Sequence, residues 1–118
     1  MRTRYNDITA FTTKDGSTIR ELMHPNEHKV SKQSLAEAIV PVGTATRLHH
    51  HHKSEELYHI TAGNGVMQLG EEQFTVAVGD TILIPPGTPH AIENSGHEAL
   101  SILCCCAPPY SHDDTELL

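Results

Sequence analysis

Apolar and polar residues alternate in short runs along this chain, and turn-forming residues separate the runs. The runs are rich in Val, Ile, Leu and Thr and lie between closely spaced glycines and prolines, of which the chain has 8 and 7. Such alternation between turn residues is typical of β-strands. No stretch combines the helical repeat of about 3.6 residues with capping residues at its ends. The pattern therefore predicts an all-β sandwich or barrel.

Ten segments carry this strand pattern. In chain order they cover residues 9–13, 17–22, 34–40, 45–51, 57–62, 66–69, 73–78, 81–84, 90–94 and 99–106. The first two flank Lys14-Asp15-Gly16, which predicts a hairpin with Gly16 at positive φ. Residues 23–33 are polar and aperiodic, and we expect a loop there. The acidic tail after Pro108-Pro109 either wraps the barrel or frays.

Length and charge exclude several classes of function. The 118 residues fit a single domain, residues 1–118, and are too few for a two-domain Rossmann enzyme or a full α/β barrel. Lys and Arg number 8 against 15 Asp and Glu, a net charge of −7, so neither nucleic acid nor an anionic membrane is an expected partner. No secretory or membrane-spanning pattern is recognisable, and a cytoplasmic protein is the simplest expectation.

The three cysteines are consecutive, Cys104, Cys105 and Cys106. An odd, adjacent cluster supplies no disulfide framework and lacks the spacing of a zinc ribbon, which agrees with a reducing compartment. On a strand, Cys104 and Cys106 would share one face and could line the mouth of the barrel. We expect them to act as small apolar fillers, with a redox or metal role as the alternative.

Four consecutive histidines, His49 to His52, stand at the end of the predicted strand 45–51, and the last of them follows it. Alternation places His49 and His51 on one face and His50 and His52 on the other. Two imidazoles at i and i+2 can bind one metal ion, and Glu55 and Glu56 open the next strand as candidate further ligands. The alternative is a chance histidine cluster on a solvated loop.

The spacing around these histidines is specific. From Gly43 to Gly63 the chain reads G-x5-H-x-H-x4-E-x6-G, and from Gly79 to Asn94 it reads G-x5-P-x-G-x2-H-x3-N. In these two motifs, which span residues 43–94, the sequence resembles the cupin family. The resemblance implies a double-stranded β-helix, the jelly-roll barrel of cupins.

The resemblance also implies a metal site, with His49, His51, Glu56 and His90 as ligands. Three imidazoles and a carboxylate suit one divalent transition metal, Fe(II) first and Mn, Ni, Co or Zn as alternatives. Four protein ligands on an octahedral ion leave two adjacent positions for a substrate with neighbouring oxygen donors, or for O2 beside it. Glu55 also fits a spacing seen in the family, but only Glu56 is separated from Gly63 by the six residues of the motif.

Alternation extends the predicted inward face beyond the ligands. It brings Ala45 and Arg47 inward with His49, and Tyr58 inward with Glu56. Arg47 is therefore a candidate for binding a substrate carboxylate or phosphate, unless a bulge turns it to the surface or an interior acid pairs with it. Tyr58 is a candidate for orienting the substrate or acting as an acid, with a plain aromatic wall as the alternative.

Three functions remain open from the sequence. The resemblance favours a metal-dependent dioxygenase acting on a small carboxylate or a diketone. A metal-dependent isomerase or lyase would instead use Tyr58 or Glu37 to move a proton. A third possibility is a non-catalytic cupin that binds a small, anionic molecule. Exposed strand edges further predict a homodimer, with outward residues such as Leu57 or His59 near the interface.

Overall fold

The computed structural model of the protein describes residues 1–118. It contains the predicted N-terminal hairpin. Gly16 in its turn has a φ of +94°, as expected. The only helical element is a single 3-10 turn, Tyr5–Asp7. The strands are β1 (Phe11–Thr12), β2 (Thr18–Met23), β3 (Ser34–Val40), β4 (His49–His51), β5 (Glu55–Ala62), β6 (Asn64–Leu69), β7 (Glu72–Ala77), β8 (Thr81–Ile84), β9 (His90–Asn94), β10 (Leu100–Ala107) and β11 (Thr115–Leu117).

The strands form two antiparallel sheets. The first contains six strands in the order β1-β2-β3-β10-β5-β8, and the second contains five in the order β11-β4-β9-β6-β7. Consecutive strands such as β4 and β5 lie in different sheets, so the chain crosses repeatedly between the two layers. This arrangement is the jelly roll that the two motifs imply. No helix in the structure has the length and apolar character needed to cross a membrane.

The core lies between the two sheets and is built by alternation along each strand. On β5, for example, Glu56, Tyr58 and Ile60 are buried while the residues between them are exposed. Ile60 meets side chains from the opposite sheet, including the fully buried Met67 and Ile92. Each such aliphatic side chain contributes on the order of 1.5 to 3 kcal/mol by leaving water. Cys104 and Cys106 are buried and Cys105 is half-buried, so the predicted shared face is confirmed.

One predicted strand, residues 45–51, is shorter in the structure. Only His49–His51 pairs as a strand, and Ala45 makes an isolated bridge to Glu93. Thr46 is the buried residue before His49, and it is bound by both the amide and the carbonyl of Ile92. Three residue steps separate Thr46 from His49, so the strict alternation of a strand is interrupted between them. Ala45 is consequently exposed, and its predicted inward orientation is wrong.

Gly63 joins β5 to β6 at a corner that only glycine fits well. Its φ is +79°, and a Cβ there would lie 2.7 Å from the carbonyl oxygen of Ala99. A side chain would therefore meet both a strained backbone conformation and a fixed backbone atom. This corner fixes where β5 ends, and hence the position of Glu56 along it.

The C-terminal tail wraps the barrel, which settles the two alternatives for it. Strand β11 pairs with β4, and its Thr115 stands opposite His51. The Lys14 ammonium group in the first hairpin donates to the carbonyl oxygens of His112 and Thr115, at 2.8 and 3.0 Å. The two ends of the chain therefore close the same end of the barrel, beside the predicted ligands.

Candidate metal centre

Three buried histidines meet between the sheets, and we call them the interior histidines: His49, His51 and His90. His49 and His51 lie on the inward face of β4, and His90, at the start of β9, is the register partner of His49. The ring centroids of His49 and His90 are 4.2 Å apart, and both lie within 5.4 Å of the His51 ring. One ring nitrogen from each lies within 4.8 Å of the other two.

A hydrogen bond fixes the orientation of each interior histidine. Nδ1 of His49 lies 2.7 Å from the carbonyl oxygen of Arg47, and Nδ1 of His90 lies 2.9 Å from that of Thr88. A carbonyl oxygen only accepts, so in both rings Nδ1 carries the proton. Nε2 of these two rings is then left with a free electron pair.

His51 is held in the same way by the C-terminal strand. Its Nδ1 lies 2.9 Å from Oγ1 of Thr115, and that hydroxyl donates its own proton to the carbonyl oxygen of Ser111. The hydroxyl therefore accepts from His51, which leaves Nε2 of His51 to face Glu56, where it can donate to the carboxylate or, without that proton, bind a metal ion. Oxygen acceptors behind each imidazole are the usual support of metal-binding histidines.

Glu56 brings a carboxylate to the same point. Its Oε1 lies 3.1 Å from Nε2 of His51 and 3.6 Å from Nε2 of His90. Burial opposes ionisation of this carboxyl group, but the two histidines outweigh it and lower the pKa of Glu56 to about 2. Glu55, the other candidate, is exposed to solvent.

The donor set fits a cation better than it fits protons. Nε2 of His90 is buried and has no hydrogen-bond partner, which costs about 1 to 3 kcal/mol unless something binds it. Protons on all the rings would repel one another at this distance. Burial lowers the pKa of His49, and charge on His90 lowers it further. A divalent transition metal ion would satisfy all the electron pairs at once.

A small cavity of about 40 Å³ opens beside the interior histidines. Tyr58 lines it, with its ring centroid 6.0 Å from that of His90, and burial raises the pKa of Tyr58 well above its usual value. The phenol is therefore neutral. Cys104, Cys106 and Tyr110 also line the cavity.

Arg47 is not part of this cavity. Its side chain is exposed, and the sixteen lining residues include neither arginine nor lysine. The interrupted alternation before His49 turns Arg47 outward, so its predicted place on the pocket wall is wrong. Glu37, suggested as a helper, also lies outside the cavity, where it is 3.8 Å from Arg20.

Asp15 is a cavity residue that the sequence pattern did not single out. It belongs to the first hairpin turn, yet its Oδ2 lies 3.7 Å from Nε2 of His49. Its other oxygen accepts from the amide and the hydroxyl of Ser17, at 2.9 and 2.6 Å. A turn sequence predicts a hairpin but not which end of a barrel the hairpin covers, so no local signal marked Asp15.

Comparisons with known proteins agree with this architecture. A family model described as a cupin domain matches residues 36–106. The uncharacterized protein MJ1618 of Methanocaldococcus jannaschii is 61% identical over 118 residues, which are 100% of this chain and 94% of that protein. The oxalate-binding protein of Thermotoga maritima is 30% identical over 84 residues, which are 71% of this chain and 65% of that protein.

Solved structures share the fold at lower identity. A predicted oxalate decarboxylase from Thermotoga maritima gives a TM-score of 0.80 at 24% identity, covering 92% of this chain and 99% of that chain. The nucleoside dehydratase Pac13 of Streptomyces gives 0.80 at 18% identity, covering 100% of this chain and 90% of that chain. These likenesses extend to the fold alone. The family match spans both motifs and most of the barrel strands, and the chain therefore belongs to the cupin family.

Proposed function

We propose that this cupin is a metal-dependent dioxygenase, in which the interior histidines and Glu56 hold one divalent ion, with Fe(II) preferred. The observation that carries the proposal is the buried, unpartnered Nε2 of His90, which points to the same place as the Glu56 carboxylate. When bound, such an ion supplies Lewis acidity and, as Fe(II), the ability to activate O2.

The residues around the ion would bind and orient the substrate. Tyr58 is a neutral phenol, so it can donate a hydrogen bond to a substrate oxygen or hold a proton during turnover. The Asp15 carboxylate lies on the metal-facing side of His49, with Oδ2 3.7 Å from Nε2, where it can accept a proton. The small volume of the cavity excludes water beyond a few molecules and limits the substrate to a small one.

The charge of the cavity favours a diketone over a small carboxylate, the other predicted substrate class. The acidic residues Asp15, Glu21 and Glu56 line the cavity, and no lysine or arginine does. Burial raises the pKa of Glu21, but a carboxyl group supplies no positive charge in either protonation state. A carboxylate would depend on the metal ion alone for a positive partner, whereas an enolisable diketone needs only two oxygen donors and one proton acceptor.

The second candidate is a cupin that binds a small molecule without turnover. It is favoured by the curated relative from Thermotoga maritima, which is named an oxalate-binding protein. The isomerase or lyase alternative has less support, because Glu37 lies outside the cavity and, of the two predicted helpers, only Tyr58 remains available to move a proton.

Anaerobic reconstitution with Fe(II), followed by O2 uptake, separates these functions. The metal content of protein purified without added metal is measured first, and then small diketones and carboxylates are offered with and without O2. We expect O2 consumption that depends on both Fe(II) and one diketone, and that the His90→Ala variant abolishes. Tight binding of a substrate without O2 uptake would favour the binding function, and anaerobic proton exchange at the substrate carbon would favour an isomerase or lyase.

Three further predictions accompany the proposed function. Exposed apolar side chains on the outer face of the six-stranded sheet support a homodimer, and the three free cysteines support a cytoplasmic location. We also predict that residues 1–118 form a single domain.

A further inference from the structure

A second cluster of metal-binding side chains lies on the outer face of β4. It consists of His50, His52 and Glu116, which we call the surface triad. Glu116 belongs to β11 and is the register partner of His50. Oε2 of Glu116 lies 3.1 Å from Nε2 of His50 and 3.1 Å from Nε2 of His52. The same alternation that sends His49 and His51 inward therefore sends these two histidines to a common acid outside.

Two distances within the surface triad match the needs of a tetrahedral ion. Metal–ligand bonds of about 2.0 to 2.1 Å place neighbouring ligand atoms of a tetrahedral zinc site about 3.3 Å apart. The carboxylate oxygen and each imidazole nitrogen already stand at nearly this separation. One ligand atom from each of the three residues lies within 4.8 Å of the others.

The surface triad is partly buried and faces solvent on one side. The side chain of His50 is only 18% exposed, whereas those of His52 and Glu116 are 51% and 53% exposed. The His50 and His52 rings pack at a centroid distance of 4.7 Å. Three protein ligands with one solvent-facing position are typical of zinc sites that keep a water molecule.

We infer that the surface triad binds a second divalent cation of the zinc class, independent of the interior site. Two imidazoles and one carboxylate favour such an ion over Ca²⁺ or Mg²⁺, which prefer oxygen ligands. The ion would join β4 to β11, the edge strand whose only neighbour in the sheet is β4. Thr115, the residue before Glu116, accepts from the interior His51, so the surface ion would also fix the strand that orients an interior ligand.

Stoichiometric titration of the metal-free full chain with Zn(II) tests this inference. We expect about two equivalents for the wild type and about one for the Glu116→Gln, His50→Ala and His52→Ala variants, whose surface affinity should fall more than about 10-fold. His97→Ala removes another exposed histidine outside the surface triad and is the matched control. It should keep both equivalents.

Co(II) absorption provides a readout that does not depend on activity. The surface ion should give the intense visible bands of a tetrahedral site, and the Glu116→Gln variant should lose them while the His49→Ala variant keeps them. Glu116→Gln preserves the shape of the side chain, so thermal unfolding of its metal-free form should match that of the wild type. Triad variants that keep the metal stoichiometry and the Co(II) bands of the wild type would overturn the inference and leave the polar contacts of His50 and His52 with Glu116 as the role of the cluster. A wild type that binds one equivalent would support the inference if Glu116→Gln removes that ion and would overturn it if Glu116→Gln keeps it. The His49→Ala variant reports on the interior site separately, so failure of one site is distinguishable from failure of the other.

Discussion

The thiol of Cys106 donates a hydrogen bond to the carboxylate of Glu56, with Sγ 3.2 Å from Oε2. The two residues are register partners on β10 and β5, so the sheet itself holds the thiol against the carboxylate. Burial, together with the charge of Glu56, raises the pKa of the Cys106 thiol, which keeps its proton available for donation. One oxygen of Glu56 is thus held from behind while the other faces the interior histidines.

Removing this donor should weaken metal binding at the interior site. We expect Cys106→Val to lower the affinity by up to about 10-fold, because groups that orient a ligand typically contribute that much. Cys106→Ser keeps a donor and should lose less. Calorimetric titration with Mn(II) or Fe(II) under anaerobic conditions measures both. Equal affinities for Cys106→Val and the wild type would mean that the thiol only fills space.

Strand parity predicts which histidines hold the interior ion. The measurement uses the Glu116→Gln background, in which only the interior site should remain. There, alanine at any of the interior histidines should reduce metal occupancy sharply, because each supplies a buried electron pair. His50→Ala and His52→Ala should leave it unchanged. Equal losses at all five histidines would refute the assignment of the two faces of β4.

The two adjacent glutamates should behave differently. Glu56→Gln is expected to weaken interior metal binding by about 10-fold or more, since it removes the carboxylate that lies 3.1 Å from Nε2 of His51. Glu55→Gln is the matched control, because Glu55 is exposed and should be near neutral. Metal affinity by competition with a chelator measures both variants. A loss confined to Glu55→Gln would require a different inward face for β5.

The low pKa of Glu56 predicts an acid-sensitive barrel in the metal-free protein. Its folded pKa of about 2 lies below the ordinary value of 4.5, so its contribution to stability is complete above pH 4.5. That contribution is lost as the pH falls from 4.5 towards 2, because the unfolded chain then binds the proton more readily. Urea unfolding at several pH values should show a shallower acid decline for Glu56→Gln. If the free energies of unfolding of the variant and the wild type declined in parallel with pH, Glu56 would not be the source of the acid sensitivity.

An apolar row on the outer face of the six-stranded sheet predicts where two copies meet. It runs across four neighbouring strands through Leu35, Cys105, Leu57 and Leu83, which stand beside one another in register. Leu57→Asp should shift the protein from dimer to monomer, because a charge would have to be buried at the centre of the row. Val78→Asp changes an exposed apolar residue outside the row and should not.

Sedimentation at micromolar concentration measures the mass of each variant. The wild type and Val78→Asp should sediment as dimers and Leu57→Asp as a monomer. A wild type of monomer mass would refute the homodimer, and a dimeric Leu57→Asp would place its interface elsewhere.

The positions of the proposed ligands could be predicted because they follow from a period of two on short strands. His49, His51 and Glu56 are buried where alternation places them, and so is Tyr58, since β5 keeps its register with β10 from Glu55 to Ile60. Burial and packing enforce this pattern, so a single sequence carries the signal.

Arg47 and Asp15 show where that reasoning stops. An irregular step between Thr46 and His49 reverses the orientation of Arg47, and a single extra residue before a strand leaves no mark in composition or spacing. Asp15 enters the cavity because the first hairpin folds over the barrel end, where Lys14 binds the C-terminal tail. That contact joins residues almost a whole chain length apart, which local patterns do not encode.

The short strand β11, which supports His51 in the interior site, is held in place by few contacts. It has three residues, lies at a sheet edge and pairs with β4 alone. Edge segments of this kind open far more often than the barrel unfolds. Each opening would remove Thr115 from His51 and free that imidazole to rotate, while the rest of the fold stays intact. The residence time of the interior ion would then follow the fraying rate of the last few residues rather than the global stability of the protein.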